Sequence, residues 1–142
     1  MSGKWYHFHM NKGIETIQEK IGSVFSDQEK CGIAYLYGSR ARGESGESSD
    51  YDFAVYLTEP DPVKRSDIRA ACISELTKKL GTDDVDVAVF NDLESPELKY
   101  NIIREGAVLF EREPYRVLIE PQILNEYFDF MYLLRKYHLT TA

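Results

Sequence analysis

From residue 32 onward, short apolar runs rich in strand formers alternate with longer stretches whose apolar residues recur every three or four positions. That alternation of periods confines the chain to an α/β arrangement. Residues 32–37 are a buried-strand run that ends at Gly38, and residues 51–57 and 85–90 are two more. Between them, residues 62–80 set Val63, Ile68, Cys72, Leu76 and Leu80 on one side, with Lys78 and Lys79 in the last turn and Gly81 beyond as a C-cap. Ser95 and Pro96 supply an N-cap and first-turn pair for a helix that closes at Gly106, and residues 107–111 make a short fourth strand. Upstream, Ile14, Ile17, Ile21, Val24 and Phe25 mark an amphipathic helix over residues 11–26. Beyond Pro114 and Pro121, Ile123, Tyr127, Phe130, Met131 and Leu134 predict a last helix over residues 122–137. The expected fold is a small mixed β-sheet packed with α-helices, with the direction of each strand left open.

A chain of 142 residues with 43% hydrophobic and 13% aromatic residues has enough apolar material for one core. Its net charge of −7 repels nucleic-acid phosphates, so a long nucleic-acid substrate is not expected. No apolar run approaches the roughly 20 residues that span a bilayer, and the N-terminus lacks a signal-peptide core, so a cytoplasmic protein without membrane contact is expected. Cys31 and Cys72 have no His or Cys at metal-ligand spacing and read as core residues. Residues 1–10 form a non-periodic leader with Met10 as an alternative start, and no catalytic part is expected of His7 or His9.

The chemistry concentrates in carboxylates. Side chains alternate across a strand, so Asp50, Asp52 and Ala54 share one face while Tyr51, Phe53, Val55 and Leu57 share the other. The third strand repeats the pattern, with Asp84, Asp86 and Ala88 against Val85, Val87 and Val89. If the two strands are neighbours, Asp50, Asp52 and Asp86 meet in one patch; the alternative is that these residues merely cap strand ends. Three crowded carboxylates raise one another's pKa unless a cation sits among them, and hard oxygen ligands suit Mg²⁺, which also takes substrate phosphates. Gly38 and Ser39 form a glycine-led turn after a buried strand, where backbone amides approach phosphate oxygens closely and Ser39 adds a hydroxyl. A phosphate site beside a metal site is a triphosphate site.

The Gly38-Ser39 pair, ten intervening residues and then Asp50-Tyr51-Asp52 resemble the signature of the polymerase-beta-like nucleotidyltransferase superfamily. The whole run GSRARGESGESSDYDFAV is similar to its minimal members, the MNT-domain proteins, many of them antitoxins paired with a HEPN-domain toxin. The resemblance spans residues 12–112 and extends to Asp86 and to Ile103-Arg104-Glu105-Gly106 at a helix end. It implies that Gly38 and Ser39 hold the triphosphate of ATP, that Asp50 and Asp52 bind two Mg²⁺ ions, for which Mn²⁺ can substitute, and that Asp86 completes the ion that activates the acceptor. It also implies transfer of AMP by in-line attack of a hydroxyl on the α-phosphorus, the acceptor being a tyrosine of a HEPN ribonuclease toxin. Arg40 and Arg42 follow the turn, and Arg42 is the preferred candidate to steady the phosphates. Tyr51 departs from the commoner aliphatic residue, but its side chain is expected to face the core.

Two other readings remain at this stage: a module that silences its partner by contact alone, and an aminoglycoside-type small-molecule transferase. The second normally brings a further helical domain to hold the drug, and little lies beyond the minimal core here. Residues 113–142 are expected to be a C-terminal helical extension packing on that core or on a partner, with Tyr127, Phe128, Phe130, Met131 and Tyr132 on more than one face.

Overall fold

The computed structural model describes residues 3–4, 12–43 and 50–139. Its elements in chain order are β1 (Gly3–Lys4), α1 (Lys12–Ser26), β2 (Cys31–Tyr37), β3 (Tyr51–Leu57), α2 (Pro62–Leu80), β4 (Val85–Val89), a 3₁₀ turn (Phe90–Asp92), α3 (Pro96–Glu105), β5 (Ala107–Arg112) and α4 (Tyr115–Lys136). His7, His9, Met10 and residues 44–49 of the loop after Gly43 lie outside the described residues. The strands form one sheet in the order β1-β5-β2-β3-β4. β3 and β4 run parallel and every other pair is antiparallel, so the sheet is mixed as expected. The parallel pair needs a crossover, and α2 supplies it.

Helices cover both faces. On one, α1 and α2 bury Ile21, Phe25, Cys72 and Leu76 against Phe53, Val55, Leu57 and Val87. On the other, Ile102 of α3 and Ile123 of α4 pack on Ile33, Tyr35, Ala54 and Phe90. Complete burial of a side chain such as Phe53 contributes about 1.5–3 kcal/mol. Both cysteines are buried core residues. The acid-bearing face of β3 is therefore apolar past its first residues, where Ala54 lies under the second helical layer. No described helix is long and apolar enough to cross a membrane.

Apart from shifts of one residue at element ends, three features depart from the periodicity. β1 was not foreseen: two residues add an edge strand through Gly3 opposite Arg112 and Lys4 opposite Glu111. Phe90 leaves β4 for the 3₁₀ turn that carries its ring into the second core layer. The largest departure is α4, which starts at Tyr115 and holds Pro121 in its interior, whereas the pattern placed its start at residue 122. An interior proline costs a helix about 3 kcal/mol. Tertiary contacts on the first turns offset it: the buried Tyr35 hydroxyl donates to Glu120, Arg116 Nε donates to the same carboxylate at 3.0 Å, and Ile123 is buried. The carbonyl deprived of the proline N–H belongs to Val117, which is exposed to water.

Gly106 closes α3 against the end of β2. A Cβ there would collide with the Ile102 carbonyl oxygen and stand 3.1 Å from that of Leu36. The closeness seats α3 beside the strand end that delivers Gly38. Gly106→Ala is expected to lower stability by about 1–3 kcal/mol, the range for overpacking, in a urea unfolding experiment.

Candidate functional site

Two strand registers build the site. Asp52 lies opposite Tyr37 in the antiparallel β2–β3 pair and beside Asp86 in the parallel β3–β4 pair. Directly paired residues point to the same face, so Tyr37, Asp52 and Asp86 form one row across three strands. Asp50 sits just before β3 and is exposed. It lines a cleft of about 230 Å³ with Asp83, Asp84, Val85 and Asp86 at the sheet edge. A larger concavity of about 480 Å³ opens towards α1, lined by Thr16, Lys20, Arg40 and Tyr51 among others, with no carboxylate among the described residues that line it. The charge chemistry belongs to the acidic cleft.

The Gly38 turn lies against Asp52. Gly38 has φ +75°, a left-handed conformation that side chains other than glycine's disfavour, and a Cβ on it would stand 2.8 Å from Asp52 Oδ2. The turn is closed by the Arg42 N–H donating to the Gly38 carbonyl at 3.3 Å, with half-buried Ser39 inside it. A glycine is thus required twice over, for the backbone conformation and for the space the carboxylate occupies.

The two arginines diverge. The Arg40 guanidinium stacks 3.7 Å from the centre of the Tyr51 ring. Tyr51 packs with the first core cluster, on the face away from Asp52, as its parity requires. Arg42 lies 3.8 Å from Glu105 at the end of α3. Both members of that ion pair are substantially exposed, so it contributes at most a few tenths to about 1 kcal/mol.

Burial raises the Asp52 pKa above the usual carboxylate range, with Asp50 and then Asp86 adding to the shift. Burial also pushes the Tyr37 hydroxyl up, again helped by Asp52 and Asp86. Among the described residues, no three carboxylate, His or Cys side chains converge closely enough to hold an ion as they stand. Asp86 is held from outside the row: Arg69 of α2 donates from Nη2 to Asp86 Oδ1 at 2.9 Å and from Nε to the Val87 carbonyl at 2.6 Å. Neither Tyr37 nor Arg69 was among the residues expected from the sequence. Tyr37 needed the β2–β3 register to join the row, and Arg69 reaches the site through a tertiary contact that no local pattern announces.

Because the folded-state pKa of Asp52 lies above its unfolded value, this carboxyl favours the fold at low pH, and the advantage is lost as pH rises through the raised pKa. At neutral pH the ionised group is a liability to the metal-free protein. Asp52→Asn is therefore expected to raise the melting temperature at pH 7 in EDTA, and the gap should close as pH falls below the ordinary carboxylate range. A variant that melts lower than wild type at pH 7, or a gap indifferent to pH, would show that Asp52 is not under charge strain.

A sequence profile of the family described as "Polymerase beta, Nucleotidyltransferase" matches residues 19–115. No curated protein matches the chain significantly. Among solved structures, a chain of a toxin–antitoxin complex with AMP-PNP superposes with a TM-score of 0.68 at 22% identity, covering 84% of this chain and 94% of that one. A structure of tri-AMPylated Shewanella oneidensis HEPN toxin in complex with MNT antitoxin gives a TM-score of 0.64 at 20% identity over 87% and 94% of the two chains. A minimal nucleotidyltransferase gives 0.51 at 29% identity over 70% and 97%. The profile covers well over half of the sequence, from α1 to the start of α4, and the solved structures share the same fold. The chain belongs to the polymerase-beta nucleotidyltransferase family.

Proposed function

We propose that this chain is an antitoxin that transfers AMP from ATP to a hydroxyl, that of a tyrosine, on a cognate HEPN ribonuclease toxin and so neutralises it. One observation carries the reading: the row of Tyr37, Asp52 and Asp86 lies against the Gly38 turn, beside a cleft that opens at the sheet edge. The structural relatives support it, since one was solved with AMP-PNP and another is a complex containing an AMPylated HEPN toxin.

Asp50, Asp52 and Asp86 would hold Mg²⁺, with two ions expected and Mn²⁺ able to replace them. The chemistry of the donor set suits such a group, since the donors are hard oxygens and a cation would offset the burial, and the nearby Asp50 and Asp86 charges, that raise the Asp52 pKa; to share an ion the three carboxylates would have to draw closer than they stand here. When bound, Mg²⁺ supplies charge neutralisation at the triphosphate and lowers the pKa of the acceptor hydroxyl. Gly38 and Ser39 cradle the triphosphate through the amides of the turn and the Ser39 hydroxyl. Arg42 steadies it from the rim, where its link to Glu105 is weak enough to yield. The acceptor hydroxyl would give up its proton to solvent and its oxygen would bond to the α-phosphorus as the bond from that phosphorus to the α–β bridging oxygen breaks, and pyrophosphate leaves.

An open cleft suits an acceptor that arrives on a folded partner with its own binding surface. In this reading residues 12–112 carry the transfer and residues 113–142 are a helical extension that presents a docking face. Phe128, Tyr132, Leu133 and Tyr137 of that extension are each at least half exposed, and aromatic side chains of this kind anchor protein interfaces. The net charge of −7 steers a basic, RNA-cleaving partner towards the protein while rejecting RNA. An added AMP near the toxin's active site then obstructs RNA by bulk and by negative charge.

The test is to incubate the protein with ATP, Mg²⁺ and a candidate HEPN-type toxin, then weigh that partner by mass spectrometry. Increments of AMP are expected, absent with Asp52→Asn or in EDTA, and replacing Phe128 and Tyr132 with charged residues should abolish capture of the partner. Full neutralisation of the ribonuclease with no change in mass would replace transfer with contact alone.

A further inference from the structure

Arg69 makes two hydrogen bonds with one guanidinium. β4 is the outer strand of the sheet, so the carbonyls on its free side have no strand partner. The Val87 carbonyl takes the Arg69 Nε–H at 2.6 Å, and this bond alone would suffice to blunt an exposed edge. The second bond has no such explanation. Nη2 reaches Asp86 Oδ1 at 2.9 Å, and no other hydrogen bond to the Asp86 carboxylate is made among the described residues. A planar guanidinium anchored to the backbone at Val87 restricts where its own Nη2 can lie, and through it where Oδ1 of Asp86 can lie.

We propose that Arg69 is a positioning residue for the third carboxylate. It engages Oδ1 of Asp86, fixes the side chain on an edge strand that has no strand beyond it, and leaves Oδ2 as the oxygen turned to the acceptor-side metal ion. The inference rests on the metal-dependent reading of the same site. Asp86 needs such help where Asp52 does not: Asp52 is flanked by strands on both sides and wedged against the Gly38 turn, whereas Asp86 is more than half exposed. Hydrogen-bond partners of metal-ligating carboxylates commonly control affinity or activity by about 10–100-fold.

Arg69→Gln and Arg69→Lys separate orientation from charge. Lysine keeps the positive charge but not the fork, and glutamine keeps hydrogen-bonding capacity but no charge. Mn²⁺ binding to the full chain in the presence of AMP-PNP is followed by electron paramagnetic resonance, with thermal unfolding in EDTA alongside. Positioning predicts that both variants weaken the second Mn²⁺ about 10–100-fold, leave the first within about threefold, and melt close to wild type. It also predicts that Arg69→Gln adds nothing to Asp86→Asn, because the first acts through the second. Unchanged Mn²⁺ affinities with a lowered melting temperature would make Arg69 an edge cap only. Tighter Mn²⁺ binding by Arg69→Gln, with Arg69→Lys unchanged, would make it a competing charge. Either result overturns the inference while leaving the metal site intact, whereas a wild-type protein that binds no Mn²⁺ overturns the metal reading itself.

Discussion

Parallel pairing of β3 with β4 sets Asp52 and Asp86 side by side, and at that position Asp52 is also partly buried and close to Asp50. Burial is the largest cause of the raised Asp52 pKa, and the charges of Asp50 and then Asp86 add to it. A folded domain has only about 5–15 kcal/mol in hand, so such an arrangement persists only where something compensates. Here the compensation is distributed. Burial and Asp50 add to the strain on Asp52, Arg69 relieves Asp86, and the remaining unneutralised charge is the feature that a cation and a triphosphate would complete.

The fold tolerates this row because the strain is confined to one end of the sheet. Below it, the same face is buried under α3 and α4, and the opposite face is filled by Phe53, Val55, Phe25 and Leu76 beneath α1 and α2. The Gly38 turn and the α3 end meet at the last residues of β2, where absent Cβ atoms let a carboxylate and a helix terminus approach the backbone. The elements around the site are therefore anchored by core packing, while the charged groups themselves stand at the solvent edge. α4 is divided in a similar way, with its first half tied to Tyr35 through Glu120 and its second half exposing aromatic side chains.

Parity along single strands was readable in advance, which is why Asp52 and Asp86 could be assigned a common face before their strands were known to be neighbours. Helix α2 was equally plain, because the apolar stripe, Lys78 and Lys79 in the last turn and Gly81 all agree on its course, and the structure adds Asp61 as its N-cap. What escaped depends on partners distant in sequence. The membership of Tyr37 in the row requires the β2–β3 register, and the part of Arg69 requires α2 to lie along β4. Pro121 gave a strong local signal for a helix start, but the contacts of Glu120, Arg116 and Ile123 carry α4 through it. Local chemistry locates the carboxylates; the means of holding them are tertiary.

Diffraction from crystals grown with Mn²⁺ and AMP-PNP tests the central claim most directly, because anomalous scattering locates the ion without assuming a mechanism. Mn²⁺ is expected about 2 Å from carboxylate oxygens of Asp52 and Asp86, with the triphosphate against Gly38 and Ser39. Mn²⁺ held by Asp83 and Asp84 alone, or a nucleotide seated in the concavity beside Lys20 and Tyr51 with no ion at Asp52, would contradict it.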